Sequence, residues 1–314
     1  MRKILLTFCL TTFSIFVSAQ EFDATSVVTE LADLMNRNYV YPEHGEAMYT
    51  LLINKLNNGE YDQFETKKEL ASALDADLKS VVYDKHIRVS FDRERANRIQ
   101  NRDPNGGREP LANSGFEKVE ILEHNIGYLD LRGFVDIRYA EDDAIPAMDK
   151  LIQADAIIFD LRQNGGGSPS MIRFISSYIF GDVPVHLNTF YWRPGDSYSE
   201  TWTNPEFASV RKPDIPVFVL TSDYTFSAAE EFTYNLKHTK RATIVGEVTG
   251  GGAHPGGPSV FGDGFIVNIP RGRAINPITK KNWEGVGVVP HILTSSEDAL
   301  DKAIELAEKA LNKN

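Results

Sequence analysis

The sequence predicts an α/β protein with a small helical region in front of it. Between residues 23 and 80 the apolar residues recur at helical intervals, and no strand-like run intervenes. From Phe116 onward, short apolar runs such as AIIFD (156–160) and VFVL (217–220) alternate with stretches at helical spacing, the order of an α/β layer architecture. At 314 residues and 42% hydrophobic content, the chain is long enough to bury a core of its own.

Arg2 and Lys3 open the chain, followed by an apolar run from Ile4 to Val17 and then Ser18-Ala19 before Gln20. This basic, apolar, small-residue order is that of a secretory signal peptide, residues 1–19, with cleavage expected after Ala19. Thr11, Thr12 and Ser14 interrupt the apolar part, which is short for a membrane span. Residues 23–36, 45–57 and 66–80 predict three helices of an N-terminal subdomain, 20–92, with breaks at 39–42 and 58–62. Its end, VVYDKHIRVSF (81–91), turns at Asp84-Lys85 and then alternates Ile87, Val89 and Phe91, a strand signature. Residues 93–115 are polar and charged, contain Asn105-Gly106-Gly107, and read as a linker or mobile loop.

The core is expected over 116–314. Residues 119–122 and 126–131 form a hairpin, 142–152 a helix, 156–160 a buried strand, 170–180 a helix and 183–192 a strand. A polar, aromatic-dotted insertion occupies 195–211. Residues 217–220 read as a buried strand and 228 onward as a helix, with Ala228, Ala229, Phe232 and Leu236 near helical spacing. Then come a strand at 243–245, a glycine-rich loop at 249–257, one strand over 260–269, and an amphipathic helix over 296–311.

The lone cysteine, Cys9, falls inside the signal segment, so the exported chain would hold none. That excludes thiol catalysis and cysteine-ligated zinc, and leaves stability to the core. Loss of Arg2 and Lys3 takes the net charge from −11 to −13, which argues against a nucleic-acid partner, since no basic surplus offsets phosphates.

Four places carry chemistry. Ser227 sits where strand gives way to helix, so its hydroxyl points outward beside the free amides of a helix start, with Ala228 N–H placed to steady an oxyanion. The plainer reading is a helix cap, with Glu230 completing a Ser-x-x-Glu box. DLRQNGGG (160–167) joins strand to helix; its glycines allow inward-pointing amides, or simply a tight turn. It lacks the ending of a phosphate loop. His86 opens a strand after an Asp-x-His turn, although a lone histidine is usually structural. Glu284, in NWEGVGVVP, is either an exposed turn acid or a half-buried carboxylate able to orient an imidazole.

In this order, DLRQNGGG, LTSDYTFSAAEEF, GEVTGG and WEGVGVVP closely resemble the serine peptidases of the carboxyl-terminal processing peptidase and tricorn group, which includes the interphotoreceptor retinoid-binding protein modules. The resemblance covers most of the chain and is weakest at 93–114 and 195–211. It implies a Clp-protease/crotonase-like αβ spiral core behind the helical subdomain. In the processing-peptidase branch a lysine follows the nucleophile by 25 residues; here that place is Gly252. In the tricorn-like branch a histidine and a later glutamate serve instead, and His86 and Glu284 fill those places. The resemblance therefore implies Ser227 as nucleophile, His86 as general base and Glu284 as its support. The oxyanion hole would come from the amides of Ala228 and of Gly166 or Gly167. Lys85 stands where tricorn has a helper serine. Ala228 replaces the acidic residue after the nucleophile, so a preference for basic side chains does not carry over. Residues 93–114 are too few for the PDZ domain many relatives insert.

The sequence thus predicts an exported serine endopeptidase acting on peptides or unfolded segments by acyl transfer, periplasmic or secreted, with no cofactor, metal or membrane span. Two competitors remain at this level. One is a non-catalytic binder of apolar ligands or peptides on the same scaffold; the other is a crotonase-type acyl-thioester enzyme, which an exported location disfavours.

Overall fold

The computed structural model describes residues 23–103, 106 and 108–312; the expected signal peptide lies outside them. Helix α1 (Ala24–Asn38) starts at Asp23, whose carboxylate accepts the Thr25 N–H. Helix α2 (Pro42–Asn57) starts on proline, whose missing N–H costs nothing in a first turn. Helix α3 (Lys67–Val81) opens with a Thr66/Glu69 capping box. Strand β1 (Arg88–Phe91) follows. Residues 93–115 are not all loop: Arg93–Gln100 form α4, because Asp92 caps the Arg95 N–H.

The core then runs β2 (Phe116–Leu122), β3 (Ile126–Leu131), α5 (Ile137–Leu151), β4 (Ala156–Asp160), α6 (Pro169–Ile179), β5 (His186–Trp192) and β6 (Ser197–Trp202). It continues through β7 (Val217–Thr221), α7 (Ala228–His238), β8 (Thr243–Gly246), β9 (Gly256–Phe261), β10 (Phe265–Pro270), β11 (Gly272–Ile275), β12 (Ile292–Leu293) and α8 (Ala299–Leu311). Six strands form one sheet in the order β12-β8-β7-β4-β3-β2, parallel except for the β2–β3 hairpin. Strands β4 and β7 are buried along their whole length, as central parallel strands must be when both faces are covered. One face packs on α5, α6 and α7 around Phe159, Ile175, Val219 and Phe232, and the other on α8 around Ile158, Leu220 and Ala303.

Two further three-stranded sheets, β1-β10-β9 and β11-β5-β6, flank this layer. Where the sequence suggested a single strand over 260–269, the chain folds into the β9–β10 hairpin, turning at Gly262 and Gly264, both at positive φ. Likewise the polar 195–211 stretch contributes β6, paired with β5. The hairpin joins the two ends of the protein. Strand β1 pairs antiparallel with β10, Val89 opposite Val267, and the apolar faces of α1–α3 close over Val89, Phe261, Phe265 and Val267 in one cluster. The N-terminal helices are therefore packed onto the C-terminal half, and the turn before β1 is delivered beside Ser227 and the 250–254 loop. Among the described residues no helix is long and apolar enough to cross a membrane.

Candidate active site

Ser227 ends the turn between β7 and α7 with φ 57° and ψ −118°, a backbone region that non-glycine residues occupy at a cost of roughly 1–3 kcal/mol. The surrounding structure holds it there. Phe226 N–H donates to Asn164 O at 3.1 Å, and the Thr225 hydroxyl donates to Leu161 O at 2.8 Å. Glu230, fully buried, accepts from the Ser227 amide (2.9 Å), the Thr249 hydroxyl (2.5 Å) and the Gly251 and Gly252 amides (2.6 and 2.8 Å). The Glu230 half of the Ser-x-x-Glu box is thus formed, and it ties the glycine loop 250–252 to the helix start. The Ser227 hydroxyl meanwhile stands 3.1 Å from His86 Nε2.

His86 is fixed from its backbone. Its N–H donates to Asp84 Oδ1 (2.9 Å), and its carbonyl accepts from Asn268 Nδ2 (2.7 Å) on β10. The Phe226 ring lies 4.6 Å from the imidazole centre. Burial pushes the imidazole down to about 4, with the Asp84 charge opposing and the His254 and Arg108 charges adding to the depression. The ring is neutral at pH 7 and able to take a proton. Nδ1 is buried and has no hydrogen-bond partner.

Two carboxylates lie near the imidazole. Asp84 Oδ1 is 3.8 Å away, and Asp84 is almost fully buried. Burial opposes its ionisation, but hydrogen bonding and charge from His254, with the His86 charge and amide, hold it below the usual carboxylate range. Glu284 Oε2 accepts the Ala253 N–H at 2.6 Å and lies 3.5 Å from His254 Nδ1. Burial drives its carboxyl up to about 7, against the His254 charge. One ligand-type atom from each of Asp84, His86 and Glu284 falls within 4.8 Å of the others, the only such trio among the described residues; the carboxylates already serve protein donors.

The glycine turn lies against the serine. A Cβ on Gly166 (φ 106°) would come within 2.8 Å of Ser227 Cβ and 3.0 Å of Ala228 N, and one on Gly167 (φ 146°) within 2.1 Å of Phe134 O. The Gly166 N–H is committed to Asn164 Oδ1 at 2.8 Å, whereas those of Gly167 and Ala228 have no acceptor among the described residues. Of the two glycine amides expected as alternatives for an oxyanion, only that of Gly167 is unengaged.

Ser227 and His86 are therefore in contact, Glu284 is near His86 without touching it, and the glycines wall the serine. Asp84, a turn residue by its local sequence, and His254, which no local pattern singles out, also stand at the site; the Asp-x-His spacing is the signal the sequence carries for the first. Lys85, in the helper-serine place, donates to Gly250 O at 2.6 Å instead.

The model of Peptidase family S41 matches residues 125–294, more than half the chain, and that of the N-terminal domain of Peptidase_S41 in eukaryotic IRBP matches 20–126. A lipoprotein structure from Streptococcus agalactiae is similar at TM-score 0.64 and 15% identity, covering 90% of this chain and 95% of that one. The photosystem II D1 C-terminal processing protease is similar at 0.57 and 14%, covering 88% and 94%. A Bacteroides fragilis structure described as of S41 type is similar at 0.55 and 21%, and there the match spans 58% of the other chain and 62% of this one. At these identities the structural likeness speaks for the fold.

Proposed function

Because the chain belongs to peptidase family S41 and is a serine-type peptidase acting on peptide or protein substrates, we propose that it is an exported endopeptidase built on Ser227, His86 and Glu284. The single observation that most supports this is the 3.1 Å approach of His86 Nε2 to the Ser227 hydroxyl across 141 residues of sequence. In this reading Nε2 takes the hydroxyl proton as Oγ attacks the scissile carbonyl carbon. The oxygen's developing charge is received by the Ala228 and Gly167 amides. The imidazolium then gives its proton to the departing amine, leaving an ester on Ser227. A water, deprotonated by His86, cleaves that ester and restores the serine. Glu284 supports the imidazolium by its charge. Export rests on the 1–19 pattern, and N-terminal sequencing of mature protein should begin at Gln20.

A fluorophosphonate probe tests the constellation. Labelling of folded protein that disappears in Ser227→Ala, together with loss of peptide hydrolysis, is the expected result. Folded protein that never labels would instead point to a binding module on this scaffold.

A further inference from the structure

An imidazole can accept a proton at Nε2 only while its other proton sits on Nδ1, and an N–H enclosed in protein calls for an acceptor. His86 Nδ1 is enclosed and has none at hydrogen-bond distance. We propose that Asp84 is a positioning residue that becomes that acceptor, holding the proton on Nδ1 so that the Nε2 lone pair faces the Ser227 hydroxyl. This rests on the Ser227–His86 reading and deepens it.

The geometry favours Asp84 over Glu284 for the hydrogen bond. Asp84 Oδ1 is 3.8 Å from Nδ1, about 1 Å beyond bonding distance, and such bonds are often long in unliganded sites and tighten on substrate binding. The carboxylate is already held from three directions. Oδ1 takes the His86 backbone N–H (2.9 Å), while Oδ2 takes the Tyr39 hydroxyl (3.1 Å) and His254 Nδ1 (2.8 Å). The second lone pair of Oδ1 is left for the imidazole. Glu284 instead spends Oε2 on the Ala253 amide and meets Asp84 through His254 Nδ1, which lies 2.8 Å from one carboxylate and 3.5 Å from the other. Glu284 acts on His86 by charge, Asp84 by charge and direction. The held-down carboxyl of Asp84 fits this division: it stays anionic at neutral pH, whereas Glu284 titrates there.

The test starts from protein that labels with fluorophosphonate; failure at that step overturns the Ser227–His86 reading itself. In labelling protein, Asp84→Asn keeps shape and the oxygen that receives the His86 amide but loses the charge that anchors the Nδ1 proton. Its kcat should fall by about 10³–10⁴ with KM within about twofold, the scale of a triad histidine left in the wrong tautomer, while Glu284→Gln should cost about tenfold or less. The second readout is proton NMR of the phosphonate adduct, whose imidazolium should show a far-downfield Nδ1–H resonance in wild type and in Glu284→Gln. That resonance should vanish in Asp84→Asn. Should Asp84→Asn fail to fold, the Glu284→Gln spectrum still decides: a persisting resonance supports Asp84, and a lost one assigns the bond to Glu284 and overturns the proposal. Unchanged kcat in Asp84→Asn overturns it too, as does a fall in kcat and melting temperature with the resonance intact, since that is the mark of a purely structural aspartate.

Discussion

Lowering the pH of a peptide-hydrolysis assay from 8 to 4 tests whether His86 is the working base. Its side chain is 12% exposed and lies under Phe226, and burial takes it from 6.5 to about 4. At pH 5.5 such an imidazole is about 97% neutral, against about 9% for one of ordinary basicity. So in Glu284→Gln, where no carboxyl titrates near 7, kcat/KM should be nearly undiminished at pH 5.5 and half-lost near pH 4. The same depression bears on stability. A histidine whose folded value lies below its unfolded one contributes full stability above about 6.5 and loses it as pH falls through about 4. The loss amounts to about 3 kcal/mol, so melting temperatures must be measured beside the rates. Glu284, pushed up to about 7, titrates above this limb, and Glu284→Gln should remove any inflection near 7 without moving the lower one. Phe226→Ala, which opens one wall of the imidazole's enclosure, should raise the acid limb by about one unit. In the Glu284→Gln background, a limb centred near 6.5, or one that Phe226→Ala leaves in place, would refute burial as the control on this base.

Three other outcomes follow from the site. Glu230→Ala strips a common acceptor from four donors, and should cost about 3 kcal/mol or more in urea unfolding and slow fluorophosphonate labelling by about 10²-fold; wild-type labelling would mean the brace does not position Ser227. Gly167→Ala, whose Cβ would meet Phe134 O at 2.1 Å, should lower stability by about 2–4 kcal/mol, and an unchanged unfolding midpoint would sink the close-approach argument. Glu231, buried with Oε1 unpartnered, is driven up to about 8 by burial, against the neighbouring Asn188 and Asn235 amides, so its folded value exceeds its unfolded one. Its stability is full below about pH 4.5 and lost as pH rises through about 8. Glu231→Gln should match wild type in melting temperature at pH 4.5 and exceed it at pH 9, and equal values at both would show that the carboxyl is not carried neutral.

Much of this was legible in local sequence because local sequence acts on local dihedral angles and burial. AIIFD is β4 to the residue, buried at all five positions, and VFVL differs from β7 only by Thr221. The helix expected over 66–80 is α3 with its ends shifted by a residue, and Ser227 does sit at a helix start. Where the pattern misled, a neighbour decided. Residues 260–269 looked like the inside of one strand because the Gly262–Gly264 turn is flanked by apolar residues on both sides, and β6 is polar because it lies exposed at a sheet edge. The chemical types at Ser227, His86 and Glu284, and the family order that linked them, were in the sequence. The contact between Ser227 and His86 was not, because it is made by the β1–β10 register and by α1–α3 closing over β9 and β10, pairings between residues far apart in the chain. The same packing buried the imidazole and brought His254 against Asp84 beside it; electric fields and desolvation depend on what surrounds a group in space, which adjacent residues alone do not specify.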